Sequence, residues 1–179
     1  MCVIVYKPKG IEMPSAEIIN ACACANRDGF GFCTPTKFFK STSFYEFSKR
    51  LAAVGKDEPC IMHFRLATHG CVCKSNCHPF KREDICFAHN GVLSIVPFRG
   101  KTDSETAFSL YIVPAIKHYG LDAEETKAAI EAVRESSRFA VMQGEQVRLF
   151  GDFYEVDGCS FSNLRFVSYM NYDRHLPMY

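Results

Sequence analysis

The hydrophobic pattern changes period along this chain, and that change restricts the folds open to it. In the first two thirds, short apolar strands alternate with segments of helical spacing. In the last third only strand-length segments remain, joined by tight-turn dipeptides. Residues 2–7 read as an apolar strand. Pro14 to Ala25 reads as a helix that starts at Pro14, with Ile18, Ala21, Cys22 and Ala25 on one face. A glycine-rich corner, NRDGFGF at 26–32, leads into an extended stretch to Phe39. Ser43 and Glu46 form a capping-box pattern ahead of Phe44, Phe47, Leu51 and Val54. Cys60 to Ala67 reads as a buried strand, 68–84 as mostly loop, and Ile85–Ala88 as a strand entering the turn at 89–91, after which Val92–Val96 continues extended. Thr102 with Glu105, and Asp122 with Glu125, are further capping boxes. The first opens a helix reaching at least Val113, where Pro114 is a kink point. The second opens a helix with Thr126, Ala129, Ile130 and Val133 inward. Gly144-Glu145 has the form of a type II′ hairpin turn, and Asp157-Gly158 that of a type I′ turn. Phe166–Tyr169 is expected to add a last strand. Two antiparallel sheets with helices outside accommodate this order.

With 179 residues the chain has the length of one domain with a substantial core, which its 16 Phe residues are expected to fill. Its 21 basic and 20 acidic residues leave a formal charge of +1, so no net field favours nucleic acid or an anionic membrane. No apolar run approaches the roughly 18 residues of a membrane span. The opening MCVIVYKPKGI does not follow the order of a secretory signal. Ten cysteines without such a signal suggest reduced thiols and a cytoplasmic setting.

Cys2 stands out by position. Its small side chain suits removal of Met1, which leaves a thiol and a free α-amine on one residue. Their reference pKa values are about 8.5 and about 7.7–8.0, so one residue supplies a nucleophile and a nearby base. Otherwise Cys2 is only the apolar start of a strand. Arg65 lies between Phe64 and Leu66 on a buried strand. An arginine there needs an anionic partner, either a substrate carboxylate or an internal acid. Asn90-Gly91 follows a strand, where a side-chain and a backbone N–H together stabilise an oxyanion, or simply form a turn. Asp103 is placed to receive an ammonium group or to cap a helix. Cys71, Cys73, Cys77 and His78 lie close together, but their CxCx3CH spacing is not that of a usual metal site, and no metal is expected. Cys22 and Cys24 read as helix packing.

As a set, these segments resemble the class II glutamine amidotransferase domains of the N-terminal nucleophile hydrolase superfamily. The matching stretches are MC at 1–2, NRDGFG at 26–31, HFRLATHG at 63–70, NCHPF at 76–80, AHNG at 88–91, TDSETAF at 102–108 and SNLRF at 162–166. The resemblance implies an α+β fold, a four-layer αββα sandwich with two antiparallel sheets between helical layers, spanning residues 1–179 as one domain. It implies that Cys2 attacks the side-chain amide of glutamine and that Asn90 and Gly91 form the oxyanion hole. Arg65 and Asp103 then hold the α-carboxylate and α-ammonium. Thr68, His69 and Gly70 form the pocket wall, and Arg27 sits on a loop that closes over glutamine. Ammonia leaves, a glutamyl thioester remains on Cys2, and water releases glutamate, with no metal or organic cofactor. A separate protein is expected to use the ammonia. Two other readings stay open: an amidase of the same superfamily acting on another amide, and a non-catalytic interaction protein that retains the fold.

Overall fold

The computed structural model describes residues 1–67 and 70–170. Ten strands form two sheets: β1 (Val3–Lys7), β2 (Gly29–Cys33), β3 (Phe38–Ser41), β4 (Cys60–Arg65), β5 (Phe80–Arg82), β6 (Ile85–Asn90), β7 (Arg138–Gln143), β8 (Gln146–Phe150), β9 (Tyr154–Val156) and β10 (Cys159–Phe161). The first sheet has the order β3-β2-β4-β1-β10-β9 and the second β5-β6-β7-β8, antiparallel throughout. The helices are α1 (Ala16–Ala25), α2 (Phe44–Leu51), α3 (Asp103–Ala107), α4 (Val113–Tyr119) and α5 (Glu124–Arg134).

Strand alternation assigns the layers. On β1, Val3 and Val5 face a core shared with α1 and α2, where Ile18, Cys22, Phe47 and Leu51 pack on Phe30, Phe32 and Phe64. Ile4, one residue out of phase, faces the second sheet and meets Cys33, Ile61, Cys86, Ala88, Ala140 and Met142. Beyond the second sheet, Phe87, Phe139 and Val141 pack on Phe108, Ile112, Ile116 and Ile130. The four layers are thus α, β, β, α. A one-residue slip of β1 would turn Ile4 out of the inter-sheet core, so the register is strongly specified.

Local chemistry explains most element boundaries. Ser15, not Pro14, caps α1, its hydroxyl accepting from Ile18 N, so the helix starts after the proline. Ser43 caps α2, but Glu46 receives the Ser41 hydroxyl instead of closing the box. Thr102 caps α3. Between α3 and α4 the chain runs through a π-helical turn, Phe108–Ile112, directly before Pro114. Proline has no N–H for the helical ladder, and the wider turn lets one helical path continue from Asp103 to Tyr119. The Asp122 box does not form: Ala123 occupies the cap of α5 without a side-chain bond, and Asp122 pairs with Arg148. Gly144 alone has positive φ (57°) in its turn, whereas Asp157 and Gly158 are both positive (50° and 76°), in keeping with types II′ and I′. Strand β4 ends at Arg65, earlier than expected, and 92–96 joins no ladder. Residues 165–169 form a 3-10 turn rather than a strand, because Phe166 drops into the α1 core beside Phe161. Cys71 and Cys73 lie side by side on an exposed loop, their Cα atoms 5.6 Å apart and their sulfurs facing each other. The other eight cysteines are free.

Candidate active site

The ladder brings the first two candidate residues together. Val3 pairs with Phe64, so one further step sets Cys2 beside Arg65 at the mouth between the sheets. A cavity of about 420 Å3 opens there. Cys2, Arg65, Gly70, Gly91 and Asp103 line it, with Val92, Leu93, Ile95 and Pro97 as an apolar wall. Cys2 is half-buried, and its thiol donates to Leu66 O at 3.6 Å. Burial pushes the Cys2 thiol pKa up, while the chain's terminal ammonium and the Arg65 guanidinium oppose that rise.

Arg65 is 5% exposed, and its Nη1 donates to Cys71 O at 3.0 Å. The same carbonyl accepts from Asn76 Nδ2 at 3.2 Å, so the 70–77 loop is laced to the guanidinium. Asp28 ties the glycine-rich corner to the same strand end. Its N donates to Arg65 O at 2.9 Å, and its Oδ2 accepts from Ala67 N at 2.8 Å. Arg27, next to it, is exposed and does not line the cavity. Thr68 and His69 lie outside the described residues.

Asp103 sits in the first turn of α3 with its carboxylate fixed on both oxygens. Oδ2 accepts from Leu93 N at 3.1 Å, and Oδ1 accepts from Ser104 N at 2.7 Å and from the Ser104 hydroxyl at 3.2 Å. A carboxylate has about four acceptor positions, so one remains for a ligand. Helix capping falls to Thr102, which leaves Asp103 for the cavity. Arg65 and Asp103 therefore place a cation and an anion on one cavity wall set, matching the two charges of a free α-amino acid.

Asn90 ends β6 and Gly91 follows it. Asn90 is buried and its Nδ2 contacts Ser162 Oγ at 2.9 Å. A Cβ on Gly91 would lie 2.2 Å from Ser137 Oγ, and its φ of 153° also disfavours a side chain, so only glycine fits this strand end.

Residues without an assigned role in the sequence reading complete the site. His63, His78 and His89 form a buried group at the cavity, which His78 and His89 line, with the His63 and His78 rings 4.4 Å apart. Desolvation pulls the His63 pKa down to about 3 and the His89 pKa to about 4, and it holds His78 well below the ordinary value. All three are neutral at pH 7. A carbonyl only accepts, so the contact of His63 Nε2 with His89 O at 3.0 Å places the ring hydrogen on Nε2. Ser104 gives its hydrogen to Asp103, so His89 Nδ1 donates to Ser104 Oγ at 2.7 Å. A hydrogen-bonded line thus runs from β4 through β6 to the Asp103 carboxylate. The NCHPF and AHNG stretches carried this signal. Among the described residues, no group of three His, Cys, Asp or Glu side chains is placed to hold a metal ion.

Comparison with known proteins gives the geometry a family. Residues 48–167, two thirds of the chain, match the family model described as glutamine amidotransferases class-II, a stretch that holds Arg65, Asn90, Gly91 and Asp103. The chain belongs to the class-II glutamine amidotransferases. The probable glutamine amidotransferase DUG3 of Saccharomyces cerevisiae is 33% identical over 79 residues, which covers 35% of this chain and 22% of the yeast protein. Among solved structures, the glutamine phosphoribosylpyrophosphate amidotransferase from B. subtilis, complexed with ADP and GMP, superposes with a TM-score of 0.59 at 16% identity. A structure of the allosteric regulatory enzyme of purine biosynthesis gives 0.56 at 16% identity. Each match covers 90% of this chain and 41% of the solved chain, and supports the fold of the class-II amidotransferase. The chain therefore spans about a fifth of the yeast relative and two fifths of the solved ones. No helix among the described residues is long and apolar enough to cross a membrane.

Proposed function

We propose that residues 1–179 act as one glutaminase unit in which Cys2 is the nucleophile, and that the unit hands ammonia to a separate acceptor protein in the cytoplasm. The observation that carries the reading is the shared cavity. One thiol, one buried guanidinium and one anchored carboxylate face the same space. Removal of Met1 frees the Cys2 α-amine, which takes the thiol proton as the sulfur attacks the side-chain carbonyl of glutamine. Arg65 receives the α-carboxylate and Asp103 the α-ammonium, so the reacting amide is fixed by the remote half of the substrate. Asn90 Nδ2 and Gly91 N stabilise the tetrahedral oxyanion. The amine returns its proton to the leaving nitrogen, and the C–N bond breaks. Ammonia departs, a γ-glutamyl thioester remains on Cys2, and water cleaves it to glutamate. Gly70 completes the wall, and Arg27 belongs to the loop that closes the site.

The cavity rim supports an acceptor protein. Leu66, Val72, Val92, Val96 and Phe98 are exposed apolar side chains in the segments around the opening, an arrangement suited to contact with another protein surface. A glutamine-dependent ammonia assay on Met1-free protein tests the proposal. Turnover that disappears in Cys2→Ala supports it, and glutamine left intact by the wild type at any concentration rejects it.

A further inference from the structure

Beyond β10, Ser162 and Asn163 are buried and stand outside the cavity lining. Ser162 closes onto β1 twice: its N donates to Ile4 O at 2.9 Å, and its Oγ accepts from Ile4 N at 2.9 Å. The same Oγ lies 2.9 Å from Asn90 Nδ2. Asn163 Nδ2 donates to Cys2 O at 2.7 Å, and its Oδ1 accepts from Arg165 N at 3.1 Å. Two successive side chains therefore grip the nucleophile's own carbonyl and the amide of the oxyanion donor.

Ser162 Oγ receives two N–H groups, while its own hydrogen meets no acceptor among the described residues. Asn90 Oδ1 is buried with no partner. A buried carbonyl left unpaired costs about 1–3 kcal/mol. A half-turn of the Asn90 amide lets the Ser162 hydroxyl donate to Oδ1, and it moves Nδ2 to the buried place that Oδ1 held, as a donor whose hydrogens still need an acceptor.

We propose that Ser162 and Asn163 are positioning residues that set the oxyanion donor in register with the nucleophile. Ser162 fixes the orientation of the Asn90 amide that presents N–H groups, and Asn163 fixes the Cys2 peptide. The proposal rests on the roles given above to Cys2 and Asn90. Without the Ser162 hydroxyl, the Asn90 amide samples both orientations, and only one of them stabilises an oxyanion.

The test separates chemistry that forms an oxyanion from chemistry that does not. Acylation of Cys2 by p-nitrophenyl acetate passes through a tetrahedral intermediate, whereas alkylation by iodoacetamide does not. In Ser162→Ala, acylation is expected to slow about twofold or more, well short of the roughly hundredfold or greater loss for removing the donor itself. Glutamine kcat falls in parallel with KM unchanged, and alkylation keeps its wild-type rate. Ser162→Cys, close in size and a weak donor, gives the same pattern if the alanine variant does not fold. In an Asn90→Ala background, Ser162→Ala costs nothing further, because its effect runs through Asn90. Asn163→Ala also slows acylation. Acylation and alkylation falling together, unchanged acylation, or additive losses with Asn90→Ala would overturn the assignment. A wild type that the ester acylates but that leaves glutamine intact rejects the glutamine reading alone, and the ester rates still decide the role of Ser162. A Cys2 that neither the ester nor glutamine acylates rejects both.

Discussion

The three buried histidines make acid stability a quantitative expectation. Burial lowers the folded pKa of His63 to about 3 and of His89 to about 4, and lowers that of His78 in the same direction. In the unfolded chain each titrates near the reference value of about 6.5. The unfolded state therefore binds more protons between these values, and stability rises with pH across that window. The histidine contribution is complete above about pH 6.5 and is lost as pH falls toward about 4. At about pH 5 the loss for His63 is some 1.4 kcal/mol per pH unit over about 1.5 units, or about 2 kcal/mol, and His89 loses a similar amount. Together they remove about 4 kcal/mol, a large part of the roughly 5–15 kcal/mol that holds a typical domain, and His78 adds to the loss. Nearby Arg65 and Lys40 disfavour charge on His63 and His78, and only Asp103 favours it on His89. Urea unfolding at about pH 7.5 and about pH 5 reads the effect, above the range where carboxylates protonate. His63→Gln is expected to flatten the dependence by about one proton. A wild-type unfolding free energy that stays level between the two pH values would refute the neutral, buried state of this group.

The remaining expectations concern the site and its frame. Cys2→Ala abolishes glutamine hydrolysis while its circular dichroism and unfolding midpoint stay close to wild type. Arg65→Ala and Asp103→Ala raise KM for glutamine more than they lower kcat, as steady-state kinetics will show; an unchanged KM in both removes them from substrate binding. Asn90→Ala slows the chemical step by about 2.7–4 kcal/mol in single-turnover measurements, with KM little altered. Gly31→Ala places a Cβ 2.2 Å from His78 O and 2.9 Å from Phe39 O, both backbone atoms, so soluble expression and the thermal midpoint should collapse.

Much of this architecture was legible in the sequence because local chemistry and global packing agree. Asp157-Gly158 specified its hairpin through two positive φ angles, and the Phe44, Phe47 and Leu51 spacing specified the face that α2 buries. Where tertiary contacts decide, sequence reading failed. Residues 166–169 have strand composition, yet Phe166 is drawn into the α1 core. Asp122 has a cap's position but faces Arg148 on β8. At the site, Cys2, Arg65, Gly70, Gly91 and Asp103 emerged from motifs, and the fold brings them to one cavity. Arg27 stands apart from that cavity in this structure. The supporting groups, namely His63, His89, Ser104, Ser162 and Asn163, were not legible individually. Their roles arise from hydrogen bonds that link residues as far as 161 positions apart, and no local pattern encodes such a pairing.

The central claim is that Cys2, exposed by loss of Met1, forms a thioester with the γ-carbonyl of glutamine. Rapid acid quench of Met1-free protein mixed with glutamine, followed by peptide mass mapping, tests it most directly. A transient γ-glutamyl group on Cys2 is expected, decaying as glutamate appears, with one ammonia released per glutamate. Glutamate and ammonia formed while Cys2 stays unmodified, and formed equally well by Cys2→Ala, would contradict it.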